Sequence, residues 1–335
     1  MLWYNTCAES PLEALPLGNG RLGALLFGGV NDELVMLNED TLWSGYPKDT
    51  LNREARAHLD RVRDMIFAGH NREAQDLIEK GMQGCWTQSY MPMANLRLHG
   101  AHDTQEGMEG LDYRRSLDLE TATARVTYSV DGVRYTRTGF LSAPDGVLVL
   151  RMEADKAGRL DLTVSLDSQL LYETQIRDGD IRLFGRCPDA VAPNYVLDEA
   201  DPVVYDTPGR GMRFEVRVRV LPEGGSLRRT EEGLRLEGAD ACLLLLTAAN
   251  SFDTPAYAER VRTVLDKAAV RPYAQLLRRH QEDFAAQFRR VEFYLGEAPA
   301  LSTAERIRQA QEGKPDAALA ADYYQFGRYL LLSSC

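Results

Sequence analysis

The stretch RVTYSVDGVRY, residues 125–135, indicates most directly how this chain folds. Apolar and polar residues alternate on both sides of the pair Asp131-Gly132. A period of two is typical of a strand with one buried face. A tight hairpin turn needs residues with positive φ, which Gly adopts without strain. The stretch therefore predicts an antiparallel β-hairpin.

The same period continues along the chain from residue 125 to about residue 249. Further alternating runs lie at 148–152, 160–166 and 214–220, whereas Cys242–Leu246 is apolar throughout. A continuous apolar run of this length is expected of a strand that is buried on both faces. Many short strands separated by Gly, Pro and Asp turns indicate a sandwich of antiparallel sheets.

Elsewhere the spacing of the apolar residues is that of helices. Pro272 suits the first turn of one helix, and Ser302 or Thr303 can cap another that has Glu305 in its first turn. The segments with helical spacing are about 52–80, 257–268, 273–288, 303–311 and 319–332.

The last of these apolar stripes, which includes Tyr323, Phe326 and Leu330, has two interpretations. The chain can be truncated, so that this helix packs against residues that are not in the sequence. Alternatively, the helix docks back on the sandwich. The stripe alone does not decide between them.

Composition excludes several classes of protein. The 335 residues include 39 Lys+Arg and 50 Asp+Glu, and the net charge of −11 opposes binding to nucleic acid or to an anionic membrane. No apolar run approaches the length of a membrane span, and the N-terminus does not resemble a signal peptide. The 5 cysteines are scattered without a CxxC pair, so we expect neither disulfides nor a thiolate zinc site, and a cytoplasmic location.

Two motifs suggest sites but lack the context that those sites need. Gly18–Gly23 matches GxGxxG, but Pro16 interrupts the preceding strand and no helix follows, so we expect a turn where backbones approach closely instead of a dinucleotide site. His99 and His102 have no third or fourth ligand nearby. We therefore expect no metal and no cofactor.

The densest group of polar residues is LNEDTLWSG, residues 37–45. Carboxylates, an amide and a hydroxyl suit the hydroxyl groups of a sugar, and an indole suits its C–H face. The simpler interpretation is a locally hydrogen-bonded turn with Trp43 in the core, and the chemistry alone favours it.

Taken together, these strings resemble the N-terminal region of glycoside hydrolase family 95, the α-L-fucosidases with some α-L-galactosidases. The resemblance covers essentially the whole chain and is most specific at EALPLGNGRLG and LNEDTLWSG. It departs from the family at Cys7–Pro11, where the family has a tryptophan, and at Asn95, where it has an aspartate. The segments that carry it are 2–4, 13–23, 27–29, 37–45, 90–96, 113–119, 142–145, 248–252, 303–307 and 324–331.

The resemblance implies a mainly β architecture: a large antiparallel β-sandwich (supersandwich), then linker helices, then the start of an (α/α) six-hairpin barrel. The implied domains are a sandwich over 1–252 with a helical insertion at about 52–80, a linker over 253–300 and the truncated barrel over 301–335. The general acid and the water-activating group of the family lie in the missing part of the barrel. No catalytic residue is therefore expected in this chain, which we expect to be inactive alone.

The resemblance also implies a partner and a substrate, namely the missing barrel domain and a fucosylated oligosaccharide that the full-length family hydrolyses with inversion. The chain would then support the barrel and lend a loop to the rim of the pocket. The candidates for that loop are Asn38, Glu39, Asp40 and Trp43. The alternative is a stand-alone carbohydrate-binding module without catalysis, whose aromatic platform would include Trp3, Trp43 or Trp86.

Overall fold

The computed structural model describes residues 1–100, 102, 112–196, 200–252 and 254–335. The chain forms two compact units. The first unit comprises Met1–Leu42, Met91–Cys187 and Arg213–Cys335, and the second comprises Trp43–Tyr90 and Pro188–Met212. The division into domains at 252 and 300 stays a prediction.

The larger sheet of the first unit has nine described strands, all antiparallel to their neighbours. Their spatial order is β1-β6-β7-β8-β9-β18-β15-β12-β11. The strands are β1 Leu2–Tyr4, β6 Arg114–Asp118, β7 Thr123–Val130, β8 Val133–Ser142, β9 Val147–Ala154, β11 Leu171–Arg177, β12 Asp180–Arg186, β15 Arg213–Glu223 and β18 Ala241–Asn250.

The second sheet of this unit has seven described strands in the order β16-β17-β10-β5-β4-β3-β2. Its central strands alternate between buried residues and half-buried or exposed ones, as expected of a sheet with one face in a core. The strands are β2 Leu15–Gly18, β3 Leu22–Leu26, β4 Asp32–Glu39, β5 Ala94–Gly100, β10 Leu160–Asp167, β16 Ser226–Arg229 and β17 Leu234–Ala239.

The hairpin predicted from residues 125–135 is confirmed. β7 and β8 pair with Tyr128 opposite Tyr135, and Asp131 and Gly132 both have positive φ, 52° and 69°. This backbone twists in the same sense as the flanking strands. The prediction of a mainly β chain with a sandwich followed by helices is confirmed as well.

Helices cover part of the outer face of the nine-stranded sheet, so its central strands are buried on both sides. Every residue of β18 is buried, as its unbroken apolar run predicts. Leu243 and Leu245 of β18 pack with Phe140 of β8 against Leu265 and Leu276 of the helices. Each such side chain contributes about 1.5–3 kcal/mol when it is fully buried.

The described residues form six helices. Four follow predicted segments closely, whereas the predicted segment at about 52–80 forms two helices. Ser302 caps the fifth, because its hydroxyl accepts a hydrogen bond from the Glu305 backbone N–H at 3.2 Å. Pro272 immediately precedes the fourth. The helices are α1 Ala55–Phe67, α2 Asn71–Gly81, α3 Tyr257–Ala269, α4 Tyr273–Phe288, α5 Thr303–Gln311 and α6 Ala317–Ser333.

One face of α6 docks on the sandwich. The Tyr329 side chain is fully buried and donates a hydrogen bond to the Pro16 carbonyl at 2.6 Å. The Gly20 N–H donates to the Ser333 carbonyl at 2.9 Å. A Cβ on Gly20 would lie 2.4 Å from the Cys335 carbonyl oxygen, and Gly20 has φ +84°. The GxGxxG string is therefore a turn of close backbone approach, as predicted, between the antiparallel strands β2 and β3.

The second unit contains α1, α2 and the short strands β13 Ala190–Val191 and β14 Val203–Val204. Buried Asp189 organises its loops, because its carboxylate accepts hydrogen bonds from the backbone N–H groups of Asp206, Arg210 and Gly211. Among the residues described in either unit, no helix is long and apolar enough to cross a membrane.

Candidate functional site

The polar stretch predicted to contact a sugar starts on the last residues of β4. Asn38 is half-buried opposite Gly23 of β3, Glu39 is 2% exposed, and Asp40 is exposed. Successive side chains of a strand point to opposite faces. Glu39 therefore faces the interior of the sandwich, whereas Asn38 and Asp40 do not.

The Glu39 carboxylate is held by neutral hydrogen-bond donors. Its Oε2 accepts from the Thr41 backbone N–H at 2.9 Å, from the Thr41 hydroxyl at 2.7 Å and from the Asn250 amide at 2.6 Å. Asn250 is 3% exposed, and its amide nitrogen also donates to the Thr41 hydroxyl at 2.8 Å. We refer to Arg21, Glu39, Thr41 and Asn250 as the Glu39 network.

Arg21 completes this network from the turn between β2 and β3. Its Nη1 lies 3.6 Å from Glu39 Oε1 and donates a hydrogen bond to the Ala248 carbonyl at 2.6 Å. The Arg21 side chain is 24% exposed, so part of its charge remains solvated. Burial raises the pKa of Glu39, and the hydrogen bonds from Thr41 and the charge of Arg21 oppose that shift.

The Glu39 network connects the two sheets of the first unit. Glu39 lies on the seven-stranded sheet, and Asn250 and Ala248 lie on β18 of the nine-stranded sheet. Both side-chain contacts to β18 are hydrogen bonds, one accepted by the Ala248 carbonyl and one donated by the Asn250 amide. The network therefore fixes the position of this end of β4 against β18.

Glu39 and Asp40 cannot act as the carboxylate pair of a glycosidase. An inverting enzyme needs two carboxyl groups on either side of the scissile bond, ~6.5–9.5 Å apart. Here one carboxyl group is buried among its hydrogen-bond donors and the next residue is exposed on the other side of the strand. The arrangement positions a loop and does not present an acid and a base to one sugar.

Trp43 lies in the second unit, next to Tyr90. The two rings meet edge to face with centroids 5.6 Å apart, and 42% of Trp43 and 43% of Tyr90 remain exposed. Ser44 stabilises the neighbouring backbone, because its hydroxyl accepts from the Ser89 N–H at 3.0 Å. Trp43 is therefore not a core residue, contrary to the simpler interpretation of this stretch. An exposed aromatic pair of this kind can contact the C–H face of a sugar.

The other two tryptophans differ in their surroundings. Trp3 is half-buried on β1, its ring lies under the Arg114 guanidinium at 4.4 Å, and its backbone N–H donates to the Thr303 hydroxyl at 3.0 Å. Trp86 belongs to the second unit and is 42% exposed. Of the two, only Trp86 presents a largely open ring.

His99 and His102 contact different residues in the described part of the chain. His99, on β5, has its Nδ1 2.5 Å from an Asp32 carboxylate oxygen, and His102 packs against the rings of Tyr128 and Tyr135, which stack on each other. Within the part of the chain that the structure describes, no group of three metal-ligating side chains occurs.

Sequence reasoning did not identify Asn250 and Arg21 as partners of Glu39. Asn250 lies 211 residues from Glu39 in the chain, and no local pattern indicates that contact. The only signal was indirect, because residues 248–252 and 37–45 both carry the family resemblance.

Comparison with known proteins adds to this geometry. Residues 2–255 match the family model described as glycosyl hydrolase family 65, N-terminal domain, and residues 272–335 match the glycosyl hydrolase family 95 catalytic domain. Alpha-L-fucosidase 2 of Arabidopsis thaliana is 35% identical over 345 residues, which cover 96% of this chain and 40% of that protein. Probable alpha-fucosidase A of Aspergillus niger is 27% identical over 354 residues, covering 96% and 41%. The chain thus spans about 40% of the length of these curated relatives.

Proposed function

This chain belongs to the glycosyl hydrolases, with a family 65-type N-terminal domain followed by a family 95 catalytic-domain segment, and we propose that it is the non-catalytic N-terminal portion of an α-L-fucosidase-type enzyme. The names of its curated relatives support an α-L-fucoside as the substrate of the whole enzyme. That the fucose is a terminal residue of an oligosaccharide and is released with inversion is part of the proposal and follows from the family resemblance.

The observation that carries the supporting role is the burial of Glu39. In the most polar stretch of the chain, the buried Glu39 carboxylate accepts hydrogen bonds from Thr41 and Asn250. A general acid must reach the leaving oxygen of its substrate, and Glu39 is enclosed by the protein instead. We therefore assign the Glu39 network to holding the loop that follows β4.

The segment from Asn38 to Trp43 remains our proposal for a substrate-rim loop. Within it, Asp40 is exposed directly after β4, and 42% of Trp43 is exposed beside Tyr90. Glu39 would act in this loop through its neighbours and not through the sugar. Of these residues, Trp43 has the chemistry that best fits a fucose ring, whose methyl group and C–H bonds form an apolar face.

The partner of this chain would be the remaining helices of the family 95 catalytic domain. A cavity of about 590 Å³ between β1, α5 and α6 is lined mainly by apolar side chains, among them Leu2, Leu319 and Phe326. On α6, Tyr323 is 79% exposed and Leu331 is 66% exposed. Packing of further helices would bury this apolar surface.

A hydrolysis assay tests the supporting role. The substrates are p-nitrophenyl α-L-fucoside and 2′-fucosyllactose, and the proteins are the purified 335-residue chain and the longest polypeptide that its gene encodes. We expect hydrolysis by the longer polypeptide only. Hydrolysis by the 335-residue chain alone would show that the catalytic groups lie within it, and faster hydrolysis of p-nitrophenyl α-L-galactoside than of the fucoside by the longer polypeptide would overturn the substrate.

A matched pair of variants tests the rim loop in the longer polypeptide. Trp43→Ala should raise KM for 2′-fucosyllactose about tenfold, equivalent to about 1.4 kcal/mol, because it removes the aromatic surface on which the sugar would pack. Trp86→Ala is the control, since Trp86 is equally exposed and lies in the same unit. Equal effects of the two substitutions, or none from Trp43→Ala, would remove Trp43 from the rim.

A stand-alone carbohydrate-binding module is the second candidate, and the exposed pair of Trp43 and Tyr90 favours it. Such a module would bind fucosylated oligosaccharides without any further domain. Titration of the 335-residue chain with 2′-fucosyllactose decides between the candidates. Saturable binding at millimolar sugar that Trp43→Ala abolishes would favour the module, and its absence would favour the supporting role.

A further inference from the structure

Part of the outer face of the nine-stranded sheet is not covered by any of the described helices of the first unit. Helix α3 packs on β18, β15 and β9, and α4 packs on β8. Beyond them lie β12 and the edge strand β11, of which six residues in seven are exposed. An open groove of about 370 Å³ lies where the side of α3 meets the outer face of β11 and β12.

Strand register defines the floor of this groove. Leu171, Arg186 and Arg213 are direct neighbours on three adjacent strands, so their side chains share one face of the sheet. Glu173 and Phe184 form the next row on the same face. Tyr257, at the start of α3, forms the wall of the groove. We refer to the site lined by these residues as the outer groove.

The residues that line the outer groove include two arginines, Arg186 and Arg213, and one carboxylate, Glu173. Arg213 is exposed, and its guanidinium makes no ion pair with any residue that the structure describes. The fully buried Glu215 beside it is already engaged by Arg182 and Arg217 at 2.7 and 2.8 Å. Glu215 therefore does not compensate Arg213.

Aromatic rings accompany this charge. The Arg182 guanidinium lies 4.4 Å from the centre of the Phe184 ring, which fixes one face of that ring. Tyr257 adds a second ring at the wall of the groove, and Tyr172 contributes to its edge with 41% of its surface exposed. Aromatic rings with a guanidinium beside them match a sugar that carries a carboxylate, because Arg binds carboxylates with two parallel hydrogen bonds.

We propose that the outer groove binds a uronic-acid residue of an oligosaccharide, with the sugar ring against Phe184 and Tyr257 and its carboxylate on Arg213. The proposal rests on the proposed function only in that the ligand is a glycan. It goes beyond that function because the groove lies on the outer face of the nine-stranded sheet, whereas the Glu39 network is buried between the two sheets.

The test is calorimetric titration of the 335-residue chain with trigalacturonic acid and with its methyl ester, which keeps the rings and removes the charges. We expect saturable binding of the acid at millimolar concentration and binding of the ester about tenfold weaker, as one charge-assisted contact implies. Arg213→Gln should weaken binding of the acid by a similar factor. Tyr257→Ala should weaken the binding of acid and ester alike, because it removes a stacking surface.

Two control variants separate the groove from general effects. Arg177→Gln removes one positive charge from the edge strand β11, at a side chain that is 89% exposed. Tyr195→Ala removes a tyrosine of the second unit that is 73% exposed. Neither should change the affinity. Absence of binding, equal binding of the ester, or equal losses in Arg177→Gln and Arg213→Gln would overturn the proposal. Since this titration uses no fucoside, it can fail while fucoside hydrolysis succeeds, and the reverse.

Discussion

Strand β4 carries two buried glutamates, Glu33 near its start and Glu39 at its end, and both point between the sheets. Glu33 is enclosed completely and pairs with Arg137 of β8, whose side chain is 7% exposed. Glu39 is held by Thr41 and Asn250, and its nearest cation, Arg21, is partly solvated. The same residue type on the same face thus meets two different electrostatic environments.

The difference shows what burial requires of a carboxylate. In the closed environment, Glu33 accepts from the Gly28 N–H at 2.8 Å, and Arg137 also donates to the Gly29 carbonyl at 3.0 Å, so both charges depend on each other. A buried pair is costly to desolvate, and removal of either partner leaves the other charge uncompensated. In the Glu39 network the carboxylate accepts hydrogen bonds from neutral donors, and no fully buried cation depends on it.

The largest effect is therefore expected at Glu33. Glu33→Gln keeps the shape of the side chain but leaves Arg137 buried without a counter-charge. We expect the free energy of unfolding to fall by about 3–5 kcal/mol, measured by urea denaturation of the purified chain.

The control for this prediction removes both charges. The double variant Glu33→Met, Arg137→Met should recover most of the loss, because a well-packed apolar pair is often as stable as the ion pair it replaces. A loss from Glu33→Gln below about 1 kcal/mol would mean that Arg137 is solvated in the folded state.

An intermediate effect is expected in the Glu39 network. Asn250→Ala removes the hydrogen bonds to Glu39 and Thr41, and we expect the free energy of unfolding to fall by about 1–3 kcal/mol. The matched control is Asn38→Ala, at the residue before Glu39 on the opposite face of β4. It should lower the free energy of unfolding by less than Asn250→Ala does. A cycle that combines Asn250→Ala with Glu39→Gln should show a coupling of about 1 kcal/mol, and additive effects would contradict the network.

How much of this comparison can be predicted from the sequence depends on the range of each interaction. The hairpin turn at Asp131-Gly132 and the cap of α5 at Ser302 depend on residues within a few positions, and both were predicted. The family resemblance likewise rests on contiguous strings such as residues 13–23 and 37–45, and the family models match accordingly.

The interactions that distinguish Glu33 from Glu39 lie beyond that range. Glu33 and Arg137 are 104 residues apart, and Glu39 and Asn250 are 211 residues apart. Each pair forms only because the two sheets pack face to face, which no local period specifies. Alternation predicts that Glu39 faces inward once β4 is recognised as a strand, but the polar composition of residues 37–45 favoured a loop. The local pattern and the tertiary context disagreed there.

A smaller effect is expected in the pH dependence of stability. Burial raises the pKa of Glu39 above that of the unfolded chain, about 4.3. The unfolded state therefore ionises first as the pH rises, so the stabilising contribution of Glu39 is complete below pH ~4.3 and is lost as the pH rises through the folded-state pKa. The cost of Glu39→Gln should be larger at pH 4 than at pH 7. A cost that grows toward neutral pH would mean that the ionised carboxylate is the favoured form, as in a strong ion pair with Arg21.

The smallest effect is expected at Asp40, the residue next to Glu39. Asp40 is exposed, and exposed charges contribute little because water competes for them. Asp40→Asn should change the free energy of unfolding by less than about 0.5 kcal/mol, measured under the same conditions as Glu39→Gln. Because the two substitutions are chemically alike and adjacent in sequence, their ratio isolates the effect of facing inward or outward at the end of β4. If Asp40→Asn costs as much as Glu39→Gln, the end of β4 is held by both charges, and the distinction between the buried and the exposed carboxylate fails.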